Sequence, residues 1–156
     1  MLRIVLAVLH LLALGIGLGA VWARARALGE RPLDRRVARR VFAADGWWGL
    51  AAGLWISTGL WRLLAGTEKA TGYYLSNHVF FAKMGFLAAI LLLELWPIVT
   101  LVGWRRRAGR GGSSWTPDLR QASTIRLISY LEAALVIAMV ITAALMARGY
   151  GVAGPR

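Results

Sequence analysis

The feature that most constrains this chain is a set of four long apolar runs, separated by charged segments. Each run has roughly the ~20 residues that an α-helix needs to cross a bilayer. The four runs occupy most of the 156 residues, and 58% of all residues are hydrophobic, whereas soluble domains have about 45–50% apolar residues. The sequence therefore predicts an all-α, multi-pass membrane protein with a single domain over residues 1–156.

The runs predict four transmembrane helices, at residues 4–23, 41–65, 79–104 and 125–147. Helices that are neighbours in sequence should pack antiparallel in an up-down four-helix bundle. Residues 33–41 predict a short amphipathic helix on the membrane surface. Pro97 removes one backbone donor, so we expect it to kink the third helix.

Basic residues are concentrated in the two segments that follow the first and third helices. The net charge is +12, and thirteen of the nineteen basic residues lie there: Arg24, Arg26, Arg31, Arg35, Arg36, Arg39, Arg40, Arg105, Arg106, Arg107, Arg110, Arg120 and Arg126. Short Arg-rich segments stay in the cytoplasm, which predicts a bacterial inner-membrane protein with both termini on the periplasmic side. The expected counter-ions are anionic lipid headgroups at the cytoplasmic face, not nucleic acid.

Two pairs of small residues, Gly15–Gly19 and Gly49–Gly53, have the spacing that lets helices approach closely. They would suit packing within the chain, in a homo-oligomer or in a larger membrane complex. The first run is longer than the apolar part of a signal peptide, so we expect the first helix to be retained.

The chain has no cysteine, which excludes disulfides, thiolate metal sites and cysteine nucleophiles. The remaining candidates for chemistry are the polar residues at membrane depth. Ionisable groups in transmembrane segments are costly and are functional candidates by default. Topology sorts them into two layers. The outer layer, expected to share one pocket, is His10, Arg62 and Lys83; the inner and central residues are Asp45, Glu94 and Glu132.

Structural roles compete with functional ones for these residues. Asp45 can pair with the inner arginines, and long cationic side chains such as Arg62 and Lys83 can extend to the headgroups. Glu94 and Glu132 should face the bundle interior, protonated or hydrogen-bonded. His10 has two open interpretations, a ligand or proton carrier and a buried residue that bridges helices.

An outer pocket with one histidine and two fixed cations suits a planar ligand that bears carboxylates. Haem b is the concrete example, with His10 on the iron and Arg62 and Lys83 on the propionates. His78, at the outer start of the third helix, is a candidate second axial ligand and metal ligand. Met139 and Met146 could serve instead.

Several segments resemble a family of small bacterial four-helix membrane proteins of unknown function, over nearly the whole chain. They are Leu9-His10-Leu11-Leu12-Ala13, Arg31-Pro32-Leu33-Asp34, Thr58-Gly59-Leu60-Trp61-Arg62, Tyr73-Tyr74-Leu75-Ser76-Asn77, Phe81-Ala82-Lys83 and Ala147-Arg148-Gly149. The resemblance implies a four-helix membrane fold and carries no established activity.

More distantly, the layout resembles HemJ-type protoporphyrinogen oxidases and CopD-like proteins. The HemJ type pairs a haem-binding histidine in the first helix with a lysine in a later helix, and His10 and Lys83 would match. The histidine that follows that lysine has no counterpart, and Glu94 lies nearest. The resemblance implies haem binding, and it leaves the oxidase reaction without its full residue set.

The leading hypothesis is therefore a membrane protein that binds haem b or a related porphyrin in an outer pocket, with a redox role as a membrane oxidoreductase. The alternative is a non-enzymatic subunit, or a small transport or proton-path protein without a cofactor. A copper-handling protein is a third hypothesis, based on His10, His78 and the scattered methionines.

Overall fold

The computed structural model describes residues 1–65, 77–111 and 115–151. Four α-helices account for most of these residues: α1 (Leu2–Leu28), α2 (Arg35–Leu64), α3 (His78–Arg110) and α4 (Leu119–Ala147). Within the described ranges, α1, α3 and α4 are long and apolar enough to cross a membrane. The predicted all-α four-helix bundle of a membrane protein is confirmed, and three of the four predicted spans have the length and hydropathy of a transmembrane helix; α2 is not among these three. Most of the segment predicted to join the second and third helices, residues 66–76, lies outside the described ranges.

Every helix extends five or six residues further at the inner end than the apolar runs predicted. The helices have 27 to 33 residues, or about 40–50 Å of length against a hydrocarbon core of about 30 Å. Arginine and alanine are good helix formers, so the helices continue past the point where apolar residues end. The predicted surface helix at residues 33–41 is wrong, because Arg35 begins α2 itself.

Side-chain caps fix where three of the helices begin. Asp34 accepts a hydrogen bond from Val37 N at 2.8 Å, and Asp118 accepts one from Gln121 N at 2.8 Å. Asn77 accepts from the backbone N–H groups at the start of α3. Such caps satisfy N–H groups that have no partner inside the helix. α3 remains helical through Pro97.

The helices α1 and α2 pack together, α4 packs against both α1 and α3, and α2 makes few contacts with α3. Two apolar layers form the core. The middle layer is Ala13, Ala20, Val21, Trp48, Trp55, Ile90, Ala133, Val136 and Met139. The inner layer is Ala27, Leu28, Leu33, Val37, Val41, Leu101, Trp104, Ala122 and Ile125.

The predicted small-residue pairs do not pack against the described part of this chain. A Cβ added at Gly15, Gly19, Gly49 or Gly53 would meet nothing within 4 Å. The close approach of α1 to α2 occurs instead at Gly17, where an added Cβ would lie 3.3 Å from the Trp48 ring. Within the described ranges, these two pairs therefore face open space and do not mediate helix packing.

The outer ends of α3 and α4 are held together by the residues that follow α4. Asn77 Nδ2 donates to Tyr150 O at 3.1 Å, and His78 N donates to Gly151 O at 3.1 Å. Gly151 has a φ of +86°, and a Cβ there would overlap Val79 and Asn77. This position therefore requires glycine.

Candidate functional site

Arg24, which the sequence placed in a cytoplasmic loop, is fully buried in the structure. It lies inside α1, and 0% of its side chain is exposed. The other twelve arginines of the two basic segments are exposed. The prediction for Arg24 was wrong because hydropathy reflects only the cost of burying a charged side chain. It does not include the acidic partners that other helices place next to that side chain.

Arg24 is the centre of what we call the inner cluster, which comprises Arg24, Asp45, Glu94, Arg105, Ser129 and Glu132. Its Nη1 and Nη2 bind the two oxygens of Glu94 at 2.8 Å each, in the bidentate geometry that suits arginine. Nη1 also donates to Asp45 Oδ1 at 2.8 Å, and Nη2 donates to Glu132 Oε2 at 2.7 Å. Nε donates to Ser129 Oγ at 2.9 Å.

Asp45 bridges two arginines on different helices, as the predicted pairing with the basic residues requires. Its Oδ1 accepts from Arg24 and its Oδ2 accepts from Arg105 Nη2, each at 2.8 Å. Arg105 also donates to Phe42 O at 3.0 Å and stacks over the Phe42 ring. Together with the Arg35 Nη2 bond to Ala108 O, these contacts join the inner parts of α2 and α3.

At the outer end, the four helices surround a cavity of about 490 Å³. We call it the outer cavity. Its lining includes His10, Arg62 and Lys83, so the structure brings together the three residues predicted to share an outer pocket. Met139 and Met146 also line it, among mostly apolar neighbours. Such a volume and lining are typical of small-molecule and cofactor sites, which measure about 300–1,000 Å³.

The imidazole of His10 is held in place from α2. Nδ1 lies 2.9 Å from Thr58 Oγ1, and the Thr58 hydroxyl donates to the backbone carbonyls of Leu54 and Trp55, at 2.8 and 3.1 Å. Because that hydroxyl has a single proton, which it donates to these carbonyls, Nδ1 is the donor to Thr58 Oγ1. In the neutral form of the ring, Nε2 is then the acceptor nitrogen.

Two neighbours on α2 shape the surroundings of this imidazole. The ring centroids of His10 and Trp55 are 5.7 Å apart. Gly59 lies so close that an added Cβ would be 3.2 Å from His10 Cε1. Because Gly59 has no side chain, the imidazole ring fits beside it. The indole N–H of Trp55 is buried and has no acceptor among the described residues.

His78 does not belong to the outer cavity, contrary to its prediction as an axial or metal ligand. It is exposed at the first residue of α3 and is not part of the cavity lining. The described residues also contain no group of three or more His, Cys, Asp or Glu that could hold a metal ion. Of the residues behind the copper hypothesis, His10, Met139 and Met146 line the cavity and His78 does not.

An apolar layer separates the two polar regions. Along α1, His10 and Arg24 are fourteen residues apart, or about 21 Å at 1.5 Å per residue. The middle layer of the core, which includes Val21, Ile90 and Val136, lies between them. The outer cavity and the inner cluster are therefore separate sites.

The family described as "Predicted membrane protein (DUF2214)" matches residues 2–151. The chain belongs to this family. The match agrees with the resemblance to small four-helix membrane proteins, and it does not extend to HemJ-type or CopD-like proteins. No curated protein and no solved structure matches the chain.

Sequence reasoning identified both carboxylates of this DUF2214 protein that face the bundle interior, Glu94 and Glu132, and missed the arginine that binds them. One signal could have indicated it. Three acidic residues at a similar inner depth, on three different helices, favour a cation between them. Arg24 lies at the matching inner level of the remaining helix, α1.

Proposed function

We propose that the outer cavity binds haem b or a related porphyrin. The observation that carries the proposal is the joint presence of His10, Arg62 and Lys83 in one largely apolar cavity. A porphyrin has a large apolar face, a metal that takes imidazole, and two carboxylates that take cations. The apolar side chains of the lining match the porphyrin face, His10 matches the metal, and Arg62 and Lys83 match the two carboxylates.

The anchoring of His10 supports the role of metal ligand. Histidines that bind metals usually donate their second ring N–H to a protein acceptor, which fixes the tautomer and the ring orientation. The hydrogen bond from Nδ1 to Thr58 Oγ1 is of this kind. In this tautomer Nε2 has the lone pair that coordination to iron requires.

The remaining residues would hold the other parts of the cofactor. Arg62 and Lys83 would pair with the propionates, and the sulfur of Met139 or Met146, in place of His78, would help to hold the iron. When bound, haem would supply one-electron redox chemistry. The protein itself would provide the imidazole, the two cations and an apolar enclosure, as in a membrane oxidoreductase.

A visible absorption spectrum tests the proposal directly. The full chain, expressed with ample haem and purified in detergent, should show a Soret band. His10→Ala should abolish or strongly reduce the band or shift it, whereas the matched variant His78→Ala should leave it unchanged because His78 lies outside the lining. A wild-type protein without Soret absorption would refute the proposal and favour a non-enzymatic membrane subunit.

The two cations allow a finer test. Hydrogen bonds to charged groups contribute about 1.5–3 kcal/mol each. Arg62→Gln or Lys83→Gln should therefore weaken haem retention about 10–150-fold, at tenfold per 1.4 kcal/mol, without changing the axial spectrum. Arg148→Gln is the control, because Arg148 is exposed and does not line the cavity. Equal loss in all three variants would exclude specific pairing with propionates.

We also infer that the protein lies in a bacterial inner membrane with both termini on the periplasmic side. The support is the group of twelve exposed arginines at the inner ends of the helices, since segments rich in arginine stay in the cytoplasm.

Because the chain has no cysteine, Ala65→Cys and Arg110→Cys give single labelling sites at opposite ends. An impermeant thiol reagent on whole spheroplasts should label only the variant at position 65. Labelling only at position 110 would invert the topology.

A further inference from the structure

The inner cluster contains more negative than positive charge if every group is ionised. Its cations are Arg24 and Arg105, and its acidic groups are Asp45, Glu94 and Glu132. Asp45 shares its two oxygens between the two arginines. Two guanidinium groups therefore face three carboxyl groups, and one negative charge is left uncompensated.

Arg24 has no donor to spare for that charge. A guanidinium has five N–H groups, and Arg24 makes five hydrogen bonds within the cluster. Ser129, a second donor in the cluster, directs its hydroxyl to Ile125 O at 2.8 Å. The donors of Arg24 and Ser129 are thus committed to other acceptors.

The oxygen left without a donor is Glu132 Oε1. It is buried and has no hydrogen-bond partner among the described residues, and 0% of the Glu132 side chain is exposed. An ionised carboxylate with a bare, buried oxygen is strongly unfavourable. The other oxygen, Oε2, shares the Nη2 atom of Arg24 with Glu94, so the two carboxyl groups lie side by side.

We infer that the inner cluster is a binding site for one proton, which Glu132 holds and shares with Glu94. Protonation adds one O–H bond to the Glu132 carboxyl group and removes one negative charge, with no other bond changed. The new O–H can donate to the adjacent Glu94 carboxylate. The cluster then contains two cations, two anions and one neutral acid, so its charges balance.

The surroundings give this proton a direction of exchange. Toward the outside, the middle layer of the core separates the cluster from the outer cavity. Toward the inside, the Asp45 side chain is 12% exposed and that of Arg105 is 41% exposed. The proton therefore exchanges with the inner face, where the side chains of the cluster reach the surface. This site is independent of any cofactor in the outer cavity.

Infrared spectroscopy of the purified full chain at neutral pH tests the inference. The wild-type protein should show the C=O stretch of a protonated carboxylic acid, shifted in D2O, with the intensity of one group. Glu132→Gln should remove this band, because the amide is neutral without a proton. The control Glu30→Gln alters an exposed Arg40–Glu30 ion pair of 2.7 Å and should leave the band intact.

Three results would overturn the inference. The first is a wild-type protein at neutral pH that lacks the band, a measurement that depends on no variant. The second is a band that persists unchanged in folded Glu132→Gln. The third is a band that disappears when sodium chloride replaces choline chloride, since the cluster would then bind a monovalent cation in place of the proton. Retention of the band in both salts supports the proton site.

Discussion

The outer cavity and the inner cluster are built from the same four helices, yet polar groups are arranged in opposite ways in the two regions. In the inner cluster, one arginine binds three carboxyl groups and a hydroxyl at 2.7–2.9 Å, between two apolar layers. At the outer end, a histidine and two cations surround open space. Charges that pair with one another in the interior stabilise a fold, whereas a cavity of this size has the room that a ligand requires.

The contrast also explains how α2 and α3 meet. These helices make few direct contacts, and on the inner side polar bonds from Arg105 and Arg35 connect them. On the outer side both helices line the cavity, α2 with residues that include Ile56 and Leu60 and α3 with residues that include Met84 and Leu87. The inner cluster thus holds together a pair of helices that both line the outer cavity.

The largest expected effect follows from removing the cation of the inner cluster. Arg24→Ala leaves three acidic groups without their common partner, and breaking a buried pair in this way costs about 3–5 kcal/mol. Since total stability is typically about 5–15 kcal/mol, thermal unfolding in detergent should show a large loss. Arg40→Ala, at an exposed pair, should cost at most about 1 kcal/mol. Similar losses in both variants would contradict the central role of Arg24.

A smaller effect is expected at the edge of the same cluster. Asp45→Asn removes the charge that bridges Arg24 and Arg105, and hydrogen bonds to charged groups contribute about 1.5–3 kcal/mol. The melting temperature should fall, while any ligand of the outer cavity remains bound. If the ligand is lost and the stability is unchanged, the two regions are not separate and Asp45 acts on the cavity.

At the outer cavity, Thr58→Val removes the acceptor of His10 Nδ1 with little change in shape. Loss of such a supporting hydrogen bond typically lowers metal affinity about 10–100-fold, so haem titration should give a correspondingly weaker affinity with little change in melting temperature. Thr58→Ser retains the hydroxyl and should restore binding. Unchanged affinity in Thr58→Val would mean that this hydrogen bond does not prepare His10 for a ligand.

The smallest effect is expected at Gly59, where an added methyl group would press on His10 Cε1 from 3.2 Å. Gly59→Ala should shift the spectrum of a bound haem, with little net change in stability. Gly53 is on the same helix, and an added methyl group there would lie in open space. Gly53→Ala should therefore raise the free energy of unfolding by about 0.5–1 kcal/mol, because alanine has less backbone freedom in the unfolded chain, and the haem spectrum should not change. A shift in both spectra would show that the effect is not local to the imidazole.

The sequence by itself determined the helical fold, because four apolar runs of transmembrane length allow few other structures. It also grouped His10, Arg62 and Lys83 correctly, since equal depth on adjacent helices follows from residue counting. The predicted helices were too short at the inner face, because the end of an apolar run marks the membrane boundary, whereas the helix itself continues beyond it.

Only the tertiary structure decided where Arg24 and His78 belong. Hydropathy places an isolated arginine outside the membrane, and Arg24 is buried because α2, α3 and α4 each present an acidic group to it. His78 is at the correct depth for the outer cavity, yet its position at the first residue of α3 leaves it exposed. The depth of a residue in the membrane follows from the local sequence, so it could be predicted. The partners of a side chain depend on how segments distant in sequence pack together, so only the tertiary structure could show them.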